Sequence, residues 1–596
     1  MRRRGVLRNR LGLAGLLAGS ASLGFAVASL LGPVSPLAPV PAAVAAALIA
    51  GVWAWAAAPR LGGTAALWPW WVGVAALALP AAAARLSPRL AGFSFERVGW
   101  LWLAGGWVRV DPGTYLVMLT AGALAGLACF VVLWSVRRDA RAVWVAGLTS
   151  LALAAVWRTV VHPPSGDEPA LLFAAWHWLF TGSADLSKAW GGAAEWLSRA
   201  GDFRDTLIRD HTVGPAMGPA MGPAMGPAGG PRYTYHGVIL PHLYGLLLMP
   251  AGRVGLALIL VGVAGLAVRL MARTAEAVTG RPATAGWVAM VLVGSPLAVY
   301  TIFLGPDLPA ALGFAAGALG LARRRPWLVA VAVAVLPWVH QKCLFPAVGL
   351  ALAAWWLSPR AGLAASAALL VSFVPEALWI SGKVGLPVWP PSALFERHST
   401  YGAAYSLRFW GQSVPGLLVD RYAGLIWTPA FVLGLVGLGW WVARRGKMGG
   451  AVRAMTVAAV PYAFLLLTFN MWTGGNGAPS RQLVAVLPAL ALGALIVETG
   501  LPAGPWRRVW DAARWIGIAH AHVLLFVPPL AFESAKLKLE GVAVSRLGAD
   551  PLVLLPAVSK LDSGAWPGWL AVGWMAVLVA AWVGIGRRLR RAPSRG

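Results

Sequence analysis

The sequence predicts an all-α, polytopic membrane protein, and three observations carry that prediction. Of the 596 residues, 59% are hydrophobic and 12% charged, with 34 tryptophans, a departure from soluble globular composition toward polytopic membrane proteins. Apolar runs of about 20 residues, one bilayer crossing each, recur along the whole chain. The formal net charge of +28 comes from basic clusters set between those runs: Arg2 to Arg4, Arg137 to Arg141, Arg323 to Arg325, Arg444 to Lys447, Arg507 with Arg508, and Arg587 to Arg591. That placement follows the positive-inside rule and argues against a nucleic-acid surface. Cys129 and Cys343 are the two cysteines, both in or beside apolar segments, which speaks against a disulfide framework and a cysteine-based metal site.

Taken in order, the apolar runs place helices near 11–32, 38–58, 65–84, 114–134, 142–161, 252–271, 284–303, 309–322, 326–340, 344–357, 361–380, 425–443, 452–470, 482–499, 513–530 and 567–586, roughly sixteen in all. The first resembles a signal peptide, but its apolar core is long and more spans follow, so it reads as a retained helix. An even number puts both termini on one side. With Met1 in the cytoplasm, every strong arginine cluster falls inside, while Arg85 and Arg89 fall outside. The short runs between 309 and 357 are expected to be tilted, broken or partly re-entrant. The expected organisation is an N-terminal membrane extension over 1–141, a core over 142–500, and C-terminal helices with a basic tail over 501–596.

Four polar segments emerge together on the outer side: His162 to about Pro250, a turn around Asp307, Ser381 to Gly424, and Met471 to Arg481. A further outer stretch, Glu533 to Trp566, is weakly amphipathic. The first segment contains Gly-Pro-Ala-Met three times from Gly214, then Gly-Pro-Ala from Gly226. Proline and glycine at that period support neither helix nor sheet, so residues 214–230 read as an extended or disordered spacer.

The chemistry-bearing residues sit in these segments: Asp167 and Glu168 just past the helix 142–161, Tyr233, Tyr235 and His236, Asp307, His340 with Gln341 and Lys342, Glu396 with Arg397 and His398, Asp420 and Arg421, and Arg481. Adjacent acids at a helix mouth suit one of them to take a proton, and arginine and lysine at the same level suit a phosphate group. Simpler roles stand beside these. Asp167 is also a good N-cap for an amphipathic helix over Ala170 to Phe180, and Asp307 before Leu308-Pro309 a good helix start. His340 also suits an interfacial position, and Arg421 and Arg481 also fit as interface anchors. His177, His242, His520 and His522 lie within or beside apolar helices and read as packing residues.

In order, Ser165-Gly166-Asp167-Glu168-Pro169, Tyr233-Thr234-Tyr235-His236-Gly237, Gly305-Pro306-Asp307-Leu308-Pro309-Ala310, Leu336-Pro337-Trp338-Val339-His340-Gln341-Lys342, Gly416 to Leu425, Trp472-Thr473-Gly474-Gly475 and Pro479-Ser480-Arg481 resemble the motifs of bacterial membrane glycosyltransferases of the GT-C fold. The likeness is to the protein mannosyltransferase and aminoarabinose transferase branches, and it covers roughly residues 142 to 500. It implies a GT-C-like bundle whose first outer loop carries amphipathic helices. It also implies transfer of a sugar from a polyprenyl-phosphate donor to a hydroxyl acceptor on a glycan, lipid or protein, outside the cytoplasm of a bacterial inner membrane. In that resemblance Asp167 is the general base with Glu168 as partner or substitute, and displacement inverts the anomeric centre. Tyr235, His236, Asp307, His340, Lys342, Arg421 and Arg481 then bind donor phosphate or acceptor. Some members need a divalent metal; the carboxylates here form no decisive ligand set, so the metal site stays unassigned.

The sequence departs from that pattern in its N-terminal helices, in the Gly-Pro-Ala-Met insertion, and in lacking a large soluble C-terminal domain. The competing classes are a transporter or flippase of a polar or lipid-linked substrate, which places acids or broken helices near the bilayer midplane, and an envelope-polysaccharide polymerase or ligase, for which Arg397, His398, Arg408 and Arg421 are the relevant residues. The position of the acids in an outer loop and the lack of a visible helix repeat favour the transferase over a transporter.

Overall fold

A computed structural model describes residues 100–103, 106–109, 112–161, 171, 174–175, 177–178, 212–213, 233–234, 239–384, 406–422, 424–443, 447–469, 480–527, 531, 558 and 568–591. The expected helices 11–32, 38–58 and 65–84 lie outside the described residues. Within them the protein is an α-helical bundle with two small antiparallel hairpins, and six helices are long and apolar enough to cross a membrane.

The first hairpin pairs β1 (Trp100–Leu103) with β2 (Gly106–Arg109). Helices α1 (Pro112–Ser135) and α2 (Ala140–Val161) follow, joined by a turn in which Asp139 Oδ1 caps the next helix by accepting from Arg141 N at 2.8 Å. The second hairpin pairs β3 (Thr212–Val213) with β4 (Tyr233–Thr234), in register Thr212 to Thr234 and Val213 to Tyr233. The strands flank the Gly-Pro-Ala-Met repeat, whose own residues lie outside the described ones.

Helix α3 runs from Ile239 to Thr279, well beyond the expected 252–271. Pro241 falls in its first turn, where no intrahelical N–H is needed, and Gly280 ends it in the left-handed region at φ 68. The expected single helix 284–303 is a broken one: α4 (Ala285–Leu292) stops at Gly294-Ser295, and α5 (Pro296–Val299) restarts on a proline at N1. Residues 286–306 are buried throughout, and irregular backbone at membrane depth is tolerated where protein surrounds it. Here side chains supply bonds of their own: Ser295 Oγ donates to Val291 O at 2.6 Å, and Tyr244 Oη donates to Gly305 O at 2.9 Å.

Helices α6 (Asp307–Ala322), α7 (Pro326–Val339), α8 (Leu344–Leu357) and α9 (Pro359–Val384) form an up-and-down array in which α6 packs on α3 and α7, and α9 on α7 and α8. The short runs expected between 309 and 357 are thus separate helices with sharp turns. Arg324 takes a left-handed φ of 54 between α6 and α7, and Pro326 opens α7 at N1. Then come α10 (Trp410–Val419), α11 (Pro429–Ala443), α12 (Lys447–Thr468), a 3-10 turn Arg481–Val486 leading into α13 (Leu487–Gly500), α14 (Pro505–Phe526) and α15 (Gly568–Arg591). Glycines let backbones touch. A Cβ on Gly349 in α8 would stand 2.0 Å from Ala458 O in α12, and one on Gly493 in α13 would stand 2.4 Å from Gly434 O in α11. Lipid-facing surface is legible in the exposed Leu370, Val371, Val374 and Leu378 of α9, and in Trp569, Val572 and Val583 of α15.

Candidate functional site

Thr284 meets Glu498 at one end of α13, and Asp307 meets Arg481 at the other. The broken segment therefore traverses the bundle alongside α13, and delivers Asp307 to the end where α7 finishes and α8 begins. By helix rise the two ends are separated by roughly 25 Å.

At the first end Asp307 is fully buried, its carboxylate held by two cations: Lys342 Nζ lies 2.5 Å from Oδ1, and Arg481 Nε lies 3.2 Å from Oδ2. Both cations keep a little exposure, 15% for the Lys342 side chain and 14% for Arg481. The local backbone explains the convergence. The chain leaves α7 at His340, extended at φ −170, and turns through the 3-10 segment Gln341–Cys343, with His340 Nδ1 accepting from Lys342 N at 3.1 Å. Pro306 precedes Asp307 and starts α6, so Asp307 stands in the first helical turn, where a carboxylate is favoured by the helix dipole. Ser480, in the left-handed region at φ 60, turns the chain into the 3-10 segment that carries Arg481 and Gln482. Gln482 Oε1 lies 3.5 Å from Lys342 Nζ. Among the described residues one acid and two cations meet in a mostly buried site, where charged contacts are stronger than in water.

Of the predicted residues, Asp307, Lys342 and Arg481 are brought together, with His340 as the cap that orients Lys342. Arg421 is buried on a separate turn. Its guanidinium sits 5.0 Å from the Tyr422 ring, and its carbonyl accepts from Trp427 Nε1 at 2.5 Å. Neither of the salt bridges to Asp307 among the described residues uses it. Asp167, Glu168, Tyr235 and His236 lie outside the described residues, as do Glu396, Arg397 and His398. Leu171, Ala174, Ala175, His177 and Trp178 are helical, within the expected helix 170–180, and Ala175 O would stand 2.7 Å from a Cβ on Gly245 of α3. The remaining histidines pack as expected: His242 against Trp178 at 4.4 Å, His520 stacked on Trp427 at 4.5 Å, and His522 buried with Nδ1 2.8 Å from Ile518 O. Among the described residues, no group of three or more His, Cys, Asp or Glu could hold a metal ion.

Sequence reasoning passed over several buried polar residues. Arg158, fully buried near the end of α2, lays its guanidinium 4.9 Å from the Phe303 ring, four residues before Asp307. An arginine inside an apolar run that leads directly to the Asp167 segment was the available signal. Glu376 is 3% exposed and stands inside a candidate span, so the acids of this chain are not confined to outer loops. At the far end, buried Glu498 accepts from Thr284 Oγ1, pairs with Arg514 Nη1 at 3.2 Å, and its carbonyl accepts from Arg507 Nη1. Asp511 joins both arginines, at 3.5 Å from Arg507 and 3.1 Å from Arg514.

No protein-family model matches the chain, and neither a curated protein nor a solved structure matches it.

Proposed function

We propose that the protein is an integral membrane glycosyltransferase that moves a sugar from a polyprenyl-phosphate donor to a hydroxyl acceptor on the extracytoplasmic face of a bacterial inner membrane, with both termini in the cytoplasm. The observation that carries this reading is the meeting of Lys342 and Arg481, from segments far apart in sequence, on the fully buried Asp307. Arginine and lysine brought to one place suit the phosphate of a lipid-linked donor, which arginine engages with a planar fork and lysine with a point charge. The rest follows from the motif order. Asp167, with Glu168 beside it, takes the acceptor hydroxyl proton; the acceptor oxygen bonds to the anomeric carbon as the bond from that carbon to the phosphate oxygen breaks, and polyprenyl phosphate leaves with the electron pair. Lys342 and Arg481 stabilise the charge that grows on that leaving oxygen. Tyr235, His236, His340 and Arg421 complete the donor and acceptor contacts in this reading, and a divalent metal remains compatible with it.

The test is sugar transfer from synthetic polyprenyl-phosphate monosaccharides by the purified protein in nanodiscs. Wild type is expected to turn over, and Asp167→Asn to lose at least about a hundredfold, the usual contribution of a general base. Unchanged transfer by Asp167→Asn and by Glu168→Gln in folded protein would remove both residues from the base role.

A second reading, a transporter or flippase of a polar or lipid-linked substrate, draws on Glu376 within a candidate span and on the broken segment 285–306. Absence of turnover across a broad donor and acceptor panel, with flipping of the same lipids in proteoliposomes, would favour it.

A further inference from the structure

Glu376 is the one carboxylate of α9, and the helix presents it away from lipid. Leu370, Val371, Val374 and Leu378 are exposed, whereas Ser372 and Glu376, four residues apart and so on one face, are buried. That face packs on α7: Trp338 Nε1 donates to Ser372 Oγ at 2.7 Å, and Ser372 Oγ donates to Ala334 O. One turn further along, Glu376 reaches the level where α7 ends and the turn Gln341–Cys343 begins. The buried Cys343 closes that turn, directly after Lys342. Ser372 is bonded on both sides, yet Glu376 Oε1 is buried and meets no hydrogen-bond partner among the described residues. A buried carboxylate oxygen left without a partner is costly in a stable fold. Glu498 Oε2 shares that state inside an ionic cluster, whereas Glu376 has no cation paired with it among the described residues, and a ligand's hydrogen-bond donor would satisfy it.

We propose that Glu376 is a recognition residue for the sugar of the donor, its free carboxylate oxygen accepting a hydrogen bond from a ring hydroxyl while Lys342 and Arg481 hold the adjoining phosphate. This rests on the reading of the protein as a transferase using lipid-phosphate sugars. A sugar ring carries the hydroxyl donors a lone acceptor needs. It is also joined directly to the phosphate, so its place is fixed once Lys342 and Arg481 hold the phosphate on the side away from Asp307. Glu376 thus separates donors that carry a sugar from the bare carrier lipid, a distinction the two cations cannot make.

The experiment measures equilibrium binding of polyprenyl phosphate and of the same lipid bearing mannose, glucose or an arabinose, to the full-length protein in nanodiscs. Wild type is expected to prefer at least one glycosylated lipid over the bare phosphate. Glu376→Leu, which removes the acceptor, is expected to lose that preference by about tenfold, the upper scale of a neutral hydrogen bond, while keeping its affinity for the bare phosphate. Ser372→Ala, which loosens the same helix pair, is expected to keep the preference. If Glu376→Leu retains it, or if Ser372→Ala loses it equally, Glu376 has a structural role only and the inference is overturned, with the transferase reading intact. If wild type binds neither lipid, the transferase reading fails and takes this inference with it.

Discussion

Two buried carboxylates, each held by two cations, stand at opposite ends of the same stretch of chain, and they are assembled differently. Around Glu498 the charges balance. Asp511 bonds both Arg507 and Arg514, Thr284 donates to the carboxylate, and the whole group ties the start of α4 to the end of α13 and the first turns of α14. Even its glycine is committed, since a Cβ on Gly286 would stand 2.1 Å from Arg514 Nη1. Around Asp307 one acid meets two cations, and both cations keep partial exposure. A balanced ionic group between packed helices is a strut, whereas partly exposed cations held in place by a buried acid are positioned to meet an anion.

The largest effect that separates the two is on stability. Glu498→Ala leaves the buried Arg514 with Asp511 as its remaining carboxylate and is expected to cost about 3 kcal/mol, read as a lowered unfolding midpoint in detergent, while affinity for a phosphate-bearing lipid stays at the wild-type level. A loss of lipid binding in the folded variant would break the comparison. Next comes Lys342→Gln, expected to weaken polyprenyl-phosphate binding by roughly tenfold or more, since charge-assisted contacts contribute about 1.5–3 kcal/mol, and also to lower the midpoint, because the buried Asp307 loses its lysine. Thr284→Val removes both a hydrogen bond to Glu498 and the N-cap of α4, which accepts from Trp287 N at 3.1 Å, and is expected to destabilise by about 1–2 kcal/mol. The smallest effect belongs to Arg273→Ala, which removes an exposed pair with Glu276 at 3.0 Å and is expected to move the midpoint by no more than about 0.5 kcal/mol.

Topology made part of the candidate site legible before any coordinates. Asp307, Lys342 and Arg481 follow from counting crossings, because residues at successive helix ends on one side of a membrane are held at one level. What escaped that count is tertiary. Pro250 reads as the edge of a span, yet α3 runs through it from Ile239 to Thr279; packing along α2 and α6 outweighs the local preference. Gly294-Ser295-Pro296 breaks a run that hydropathy alone cannot distinguish from a straight helix, because buried irregular backbone is as apolar as helix. Glu376 vanished into an apolar run of the right length, since one carboxylate barely lowers the mean over a span. Glu498 and Arg514 looked like ordinary residues beside a basic cluster, and only the folded chain sets them against Thr284.

The hairpin of Thr212–Val213 with Tyr233–Thr234 has a genetic consequence. Tandem repeats in a gene lengthen and shorten when the replicating polymerase slips, and such changes usually damage a folded protein. Here the repeat begins and ends at two strands that pair with each other, so a copy gained or lost leaves the distance between its ends untouched. Closing a longer loop grows only logarithmically more costly. A tag inserted in the repeat is therefore expected to leave the bundle's helices where they are.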